Sequence, residues 1–300
     1  MDTVVYYSLR SLARLLYLFP ESWSLRLGEL LGSLAGRLVP KRMALCRANL
    51  RLAGLDEALS GAVFRFLGRN LVAILRLACS DPGHDADKVV VEGFESYLEA
   101  RKRCGRVILI TAHLGNWEKL ARLQRRHSGH PLQVVGRSLD QRGADRFLRE
   151  LRQRGGFTVL EKSRGVRAML KALRQGNDLG LLIDQRVAPH MGIWVPFFGA
   201  PVSAVPVVSL LAKASGAAIV PVFTGIDAAG QERIHYLPEL VQTGDEVAET
   251  KELNRLIETH IRRYPEQWFW LHNRWREKDL DQVDSKGRRA AEACAAEGDR

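Results

Sequence analysis

Cysteine is scarce and scattered in this chain of 300 residues. Cys46, Cys79, Cys104 and Cys294 lie far apart with no paired spacing, which argues against a zinc centre, a redox pair or a structural disulfide and fits a reducing compartment. Cys104 sits in Arg101-Lys-Arg-Cys-Gly-Arg106, ahead of a strand rather than at its end, a poor place for a nucleophile. Long apolar runs are also missing. Residues 4–19 are apolar and aromatic, but Arg10 and Arg14 interrupt them and Pro20 stops them, short of the roughly 20 residues that a spanning helix needs. The layout of a signal peptide is absent too. With a mean hydropathy of −0.15, a multi-span membrane protein is excluded. No Gly-rich loop follows a strand: Gly155-Gly156 stands alone, and residues 152–164 hold no stacking aromatic except Phe157. That leaves nucleotide and nucleic-acid binding without support beyond charge. There is no G-x-S-x-G nucleophile elbow and no internal repeat.

What is abundant is positive charge. The net charge of +11 points to an anionic partner such as an acidic protein or a phospholipid surface. Tyr6, Tyr7, Tyr17, Phe19 and Trp23, mixed with arginines, suggest a helix lying in a membrane interface. A second amphipathic segment, residues 25–39, carries Gly28, Gly32 and Gly36 at intervals of four, a spacing that lets another helix approach closely. Two ordinary helices packed on the domain would give the same pattern. The chain therefore divides into interface helices (1–40), an α/β domain (41–276) and a charged, Ala-rich tail (277–300) expected to be mobile.

Residues 41–79 read as two helices, and Asp81-Pro-Gly-His-Asp85 as a break. A short strand at 89–91 and a short helix at 94–100 follow. Strands are then expected at 107–111, 133–136, 157–160, 179–183, 218–223 and 234–237. Helices are expected at 117–126, 144–154, 166–175, 204–214 and 252–263. This alternation describes an α/β fold, a central mostly parallel or mixed sheet covered by helices.

The most informative stretch is Val107-Ile-Leu-Ile-Thr-Ala-His-Leu-Gly-Asn-Trp-Glu118. It reads as a buried strand that presents His113 and turns into a helix carrying Glu118. Five residues along one helix would separate the two side chains by about 140°. With His113 in the turn before the helix, the carboxylate can fold back and hold the imidazole as a general base with its orienting partner. Spacing alone is weak: chance predicts about one such pair, and His272 with Glu277 repeats it in a polar stretch. The strand leading into His113 carries the signal.

Ligands of open α/β sheets bind outside the carboxyl ends of the strands. Other expected strands end in Arg137 and in Asp184-Gln185-Arg186, and one runs through Ile219-Val-Pro-Val222. Arg137 suits a phosphate or carboxylate clamp, or a structural salt bridge. Lys162 and Arg164 precede a helix N-terminus, a favourable anion position, or are solvated charges. Asp184 could hold a sugar hydroxyl, orient Arg137 or cap the following turn. Asn116 and Gln185 complete the candidate substrate-binding set. Trp194-Val-Pro-Phe-Phe198 lines a groove, dips into lipid or packs in the core. Trp268, Phe269, Trp270 and Trp275 beside Arg274 and Arg276 form an interfacial patch or, by slight preference, close the core.

These blocks resemble those of a known family. His113 to Glu118 looks like the H-x4-D/E block of glycerolipid acyltransferases, and Arg137 and Ile219-Val-Pro-Val222 resemble two later blocks. A Glu-Gly-Thr block is absent; Leu182-Ile-Asp-Gln185 and Trp194-Val-Pro-Phe-Phe-Gly199 stand in its place. That combination is similar to the late acyltransferases of lipid A synthesis, the lauroyl and myristoyl transferases, with further agreement at Arg47-Ala-Asn-Leu50 and Tyr264-Pro-Glu-Gln-Trp-Phe-Trp270. The resemblance spans roughly residues 5–276 and implies a glycerolipid acyltransferase-like fold. It also implies an enzyme on the cytoplasmic face of a bacterial inner membrane, free of metal and cofactor. Such an enzyme moves a fatty acyl chain from acyl carrier protein, less often coenzyme A, to a hydroxyl of an anionic glycolipid. The rival expectations are a lysophospholipid or glycerol-phosphate acyltransferase, and a non-catalytic membrane-binding protein of the same fold.

Overall fold

A computed structural model of the protein describes residues 1–276; the expected tail, 277–300, and Cys294 lie outside the described residues. The chain opens with four helices: α1 (Asp2–Leu18), α2 (Glu21–Leu38), α3 (Pro40–Leu52) and α4 (Ser60–Leu77). Pro20 breaks the first from the second. Pro40 stands at the first position of α3, where its missing N–H costs no helical hydrogen bond.

The glycines of α2 do what their spacing suggests. Gly28, Gly32 and Gly36 are the buried face of that helix together with Ser24, and they press on α4. A Cβ on Gly32 would lie 2.1 Å from the Phe64 carbonyl oxygen, and one on Gly68 would lie 2.1 Å from that of Gly28. The backbones touch, so only glycine fits. Residues 57–77 are long and apolar enough to cross a membrane by length and composition. Here they pack against α2 and the domain, with Val63, Phe64, Phe66, Val72 and Leu75 buried. Helix α1 is tied to the body through Tyr6, whose hydroxyl donates to Glu150 and whose ring lies 4.1 Å below the Arg146 guanidinium. The outer face is apolar: Leu12, Leu15, Leu18, Phe19, Trp23, Leu27, Leu30, Leu31, Leu34 and Leu38 are exposed.

The α/β part follows. After α5 (Pro82–Ala86) come β1 (Val89–Glu92), α6 (Phe94–Cys104), β2 (Val107–Thr111), α7 (Trp117–Ser128), β3 (Leu132–Gly136), α8 (Arg142–Arg154), β4 (Thr158–Glu161), α9 (Gly165–Arg174) and β5 (Asp178–Leu182). Then come β6 (Ile193–Phe197), β7 (Ala200–Ala204), α10 (Val207–Ser215), β8 (Ala218–Ile226), β9 (Glu232–Tyr236) and α11 (Glu246–Arg263). Seven strands form one sheet in the order β1-β9-β8-β2-β5-β3-β4. Its neighbours are parallel except β8 and β9. Every residue of β2 is buried, because helices cover both faces of this central strand; hence its continuous apolar run rather than alternation.

The fold agrees with the expected α/β architecture and corrects details. Strands β6 and β7 pair as a separate antiparallel hairpin, with Phe198 (φ 50°) and Gly199 (φ 73°) at its turn, the two positive φ values of a type I′ turn. Ala204 closes that hairpin opposite Ile193, so α10 starts three residues later than expected. Helix α11 starts six residues earlier, because Asp245 accepts from the N–H groups of Val247 and Ala248 at 2.9 and 3.1 Å. The aromatic residues near the end are core: Phe197, Trp268, Trp270 and Trp275 pack in one buried cluster with Phe198. Ile219-Val-Pro-Val222 lies inside β8 with Ile219, Val220 and Val222 buried, so it is sheet core and presents no chemistry at a strand end.

Candidate active site

The site is built on the turn between β2 and α7. Gly115 adopts φ 60°, and a Cβ there would come within 2.6 Å of the Thr224 carbonyl oxygen. Asn116 caps α7 by accepting from the Lys119 N–H at 3.0 Å. The turn is clamped from the far end of the chain: the Gly115 N–H donates to the Gln267 carbonyl (3.1 Å), and the Phe269 N–H donates to that of His113 (3.0 Å). Asn49 holds the same C-terminal segment, donating to the carbonyls of Trp270 (2.8 Å) and His272 (2.9 Å).

His113 is thereby fixed at the carboxyl end of β2 with its side chain 22% exposed. Its Nδ1 lies 2.9 Å from Asp184 Oδ1, and its backbone N–H donates to Asp184 Oδ2 at 2.9 Å. The Trp268 indole N–H donates to the same Oδ2 at 2.7 Å. Asp184 leaves the end of β5, the strand beside β2, and is 1% exposed. Burial opposes its ionisation, but the neighbouring His113, hydrogen bonds from the His113 ring and backbone, and the Trp268 indole outweigh it, holding the carboxyl at about 2. A carboxylate at Nδ1 favours the imidazole tautomer that carries its proton there and its lone pair on Nε2. Gln185 Nε2 lies 3.3 Å from that nitrogen on the exposed side. The Trp117 ring stands edge-on to the imidazole at 5.0 Å between centroids.

The expected partner of His113 is therefore corrected. Glu118 is buried and accepts from Arg152 of α8, at 2.9 Å from Nε and 2.5 Å from Nη2. The first turn of α7 carries the Glu118 side chain towards α8, and the adjacent parallel strand brings Asp184 to the imidazole instead. Asp184 does not orient Arg137, which is 79% exposed and pairs with Asp140 at 2.6 Å. Arg164, at the end of a 3-10 turn after β4, is exposed. Arg137 and Arg164 share the carboxyl edge with His113 but do not touch it. Of the sequence candidates, His113, Asp184 and Gln185 come together; Asn116 shapes the turn beneath them.

Three contributors were not singled out as site residues. Trp268 grips Asp184. Arg274, 2% exposed, donates to the Gln185 carbonyl, to that of Ser203 (3.3 Å) and to Asn254 Oδ1 (3.2 Å). Burial lowers its pKa to about 10. His272 Nε2 accepts from the Arg186 N–H at 2.8 Å, and burial pushes its pKa down to about 4. An arginine among tryptophans, in a segment that continues the aromatic block at 264–270, was the available signal.

A buried carboxylate holding a histidine at the carboxyl edge of a mostly parallel sheet is an arrangement chemically able to take a proton from a hydroxyl. Residues 4–277 match the family described as bacterial lipid A biosynthesis acyltransferase, and the chain belongs to that family. It is an acyltransferase, as the sequence blocks implied. Among relatives, the lipid A biosynthesis myristoyltransferase of Escherichia coli is 24% identical over 80% of this chain and 77% of its own length. The lauroyltransferase of the same organism is 30% identical over 42% of each chain. A phosphatidylinositol mannoside acyltransferase of Mycolicibacterium smegmatis is 28% identical over 64% of this chain and 63% of its own.

Proposed function

We propose that the protein transfers a fatty acyl chain from an acyl thioester to a hydroxyl of a lipid A precursor or a related glycolipid. Acyl carrier protein is the preferred donor over coenzyme A. The reaction is placed at the cytoplasmic face of the bacterial inner membrane. The observation that carries this reading is the His113–Asp184 pair, with Nε2 turned to the exposed edge. In the proposed reaction the acceptor hydroxyl displaces the Gln185 amide and hydrogen-bonds to His113 Nε2. As its oxygen attacks the thioester carbonyl, the proton passes to Nε2, and Asp184 stabilises the imidazolium. Collapse of the tetrahedral intermediate breaks the C–S bond, and the imidazolium returns its proton to the departing thiolate. Glu118 is a positioning residue in this reading: its bonds to Arg152 anchor the first turn of α7 and with it the His113 turn.

Charge and surface support the proposed donor and location. From Lys162 to Arg174 the chain holds five cations and no acid, and all five side chains belong to exposed residues. Arg164, Arg167, Lys171 and Arg174 recur at helical spacing along one face of α9, a ridge that suits an acidic carrier protein. Arg164 lies three strand spacings from β2, about 14 Å, a span that a phosphopantetheine arm bridges. The exposed leucines of α1 and α2 suit a lipid surface. The phosphatidylinositol mannoside relative favours including glycolipids other than lipid A.

The test is acyl transfer from labelled acyl carrier protein thioesters to extracted membrane glycolipids, with wild type beside His113→Ala. Transfer to a glycolipid that falls about 10²–10⁴-fold in the variant upholds the proposal. Transfer to lysophospholipid alone, or equal transfer by both proteins, overturns it.

A further inference from the structure

Between the elbow joining α1 to α2 and the turn joining β8 to β9 lies a cavity of about 670 Å³, a size typical of small-molecule sites. Its walls include Tyr17 and Phe19 of the elbow, Phe66 and Asn70 of α4, and Asn116 and Lys119 at the start of α7. The site opens on the same edge of the sheet as His113, since β8 ends there at Ile226 and β9 begins there at Glu232. It shares a wall with the active site: the Asn70 amide donates to the Gly115 carbonyl at 3.0 Å, two residues after His113.

Three observations say what this cavity takes. Asn116, 7% exposed, leaves its Nδ2 without a hydrogen-bond partner among the described residues, while its Oδ1 is used by the α7 cap. A buried amide donor without a partner is a costly arrangement, and the residue that carries it lines the cavity. Next, three of the four lysines and arginines of the wall are already paired with carboxylates. Lys119 pairs with Glu232, Lys88 with Glu21 at 2.6 Å and Arg69 with Glu29 at 2.8 Å, while Arg76 donates to the carbonyls of Leu16 and Phe19. Arg76 is the one of these four without a carboxylate partner among the described residues, so the wall offers a phosphate a single cation. What remains is an alternation of carboxylates, ammonium groups and amides beside aromatic rings. That lining suits hydroxyls, each of which donates and accepts at once. Finally, the rim is apolar: Leu18 and Phe19 are 81% and 50% exposed and lead onto the outer face of α1 and α2.

We propose that this cavity binds the sugar headgroup of a membrane glycolipid, whose chains run along the exposed leucines of α1 and α2. The inference rests on the glycolipid-acceptor reading above and adds where that acceptor is held, with Asn116 linking the occupied cavity to the turn that carries His113. A sugar bound there reaches the active site from the β8–β9 side, opposite the cationic ridge of α9.

Flotation of the full chain with phosphatidylcholine vesicles tests it. The vesicles are doped with diglucosyl diacylglycerol, whose head is uncharged, or with phosphatidylglycerol. Binding is read in a His113→Ala background to prevent turnover. Tighter binding to the diglucosyl vesicles is expected, with about a tenfold preference that Ala73→Phe, which fills the cavity, removes. Gln231→Ala, which trims a lining amide, keeps the test open should Ala73→Phe fail to fold, and unchanged melting temperatures certify both. Equal binding to all vesicles, a preference for phosphatidylglycerol, or a sugar preference that survives in folded variants would overturn the proposal. Acyl transfer by wild type is measured in parallel. A sugar preference without transfer to glycolipid removes the glycolipid-acceptor reading and leaves the cavity standing; transfer without a cavity-dependent preference does the reverse.

Discussion

The imidazole of His113 takes its orientation from a carboxylate 71 residues away rather than from one five residues away. The strand, the histidine and the turn were legible because a run of apolar residues ending in a polar turn is a local signal. Its partner was not, because the side-by-side placement of β2 and β5 is a property of sheet order, which local sequence does not encode. Asp184 was among the candidates, but for other roles. His272 offers a test at the same scale. Its pKa falls from 6.5 to about 4 through burial. Between those values the unfolded chain binds a proton that the folded chain does not, so stability rises with pH across that window and levels off above it. Denaturant midpoints at pH 5 and pH 7 are expected to differ, with pH 5 the lower. His272→Gln, whose amide oxygen can still accept from the Arg186 N–H, is expected to narrow the difference.

At the scale of elements, patterns that depend on one segment read well and patterns that depend on two read poorly. The spacing of Gly28, Gly32 and Gly36 announced a close helix neighbour, and the structure supplies α4. Gly32→Leu is expected to force those backbones apart and to cost about 1–3 kcal/mol, the range for overpacking, seen as a lower melting temperature. A substitution as large on the exposed face, such as Leu34→Phe, is expected to leave it unchanged. The β6–β7 hairpin was missed because Trp194-Val-Pro-Phe-Phe-Gly199 carries a proline inside a strand and a phenylalanine at positive φ, both against local preference. The aromatic cluster around Phe197 and Trp275 overrides them. Helix α9 gives a functional prediction. Reversing Arg164, Arg167, Lys171 and Arg174 to Glu is expected to raise KM for an acyl carrier protein thioester at least about tenfold. The uncharged acyl-pantetheine should be used as before. Equal losses with both donors would remove the ridge from carrier recognition.

For the whole molecule, the carboxyl edge of the sheet joins two unlike surfaces. On the β8–β9 side stands the elbow between α1 and α2 with its apolar face, the start of α1 resting on α8; on the β3–β4 side stand exposed cations. His113 lies between them, which suits an enzyme meeting a lipid acceptor from one side and an acidic donor from the other. The net charge of +11 pointed to an anionic partner and held nothing of this division, since composition carries no geometry. Leu30→Asp with Leu34→Asp is expected to weaken binding to anionic vesicles in a sedimentation assay while acyl transfer to a detergent-solubilised acceptor is kept. Retained binding would move lipid contact away from α2. The central claim is that His113 acts as a base held by Asp184, and the most direct measurement compares kcat for Asp184→Asn and Glu118→Gln in proteins of confirmed fold. The account predicts a loss of about 10²–10⁴-fold in kcat for Asp184→Asn, with KM for the donor little changed and a much smaller loss for Glu118→Gln. Near wild-type turnover by Asp184→Asn, with the large loss in Glu118→Gln instead, would contradict it.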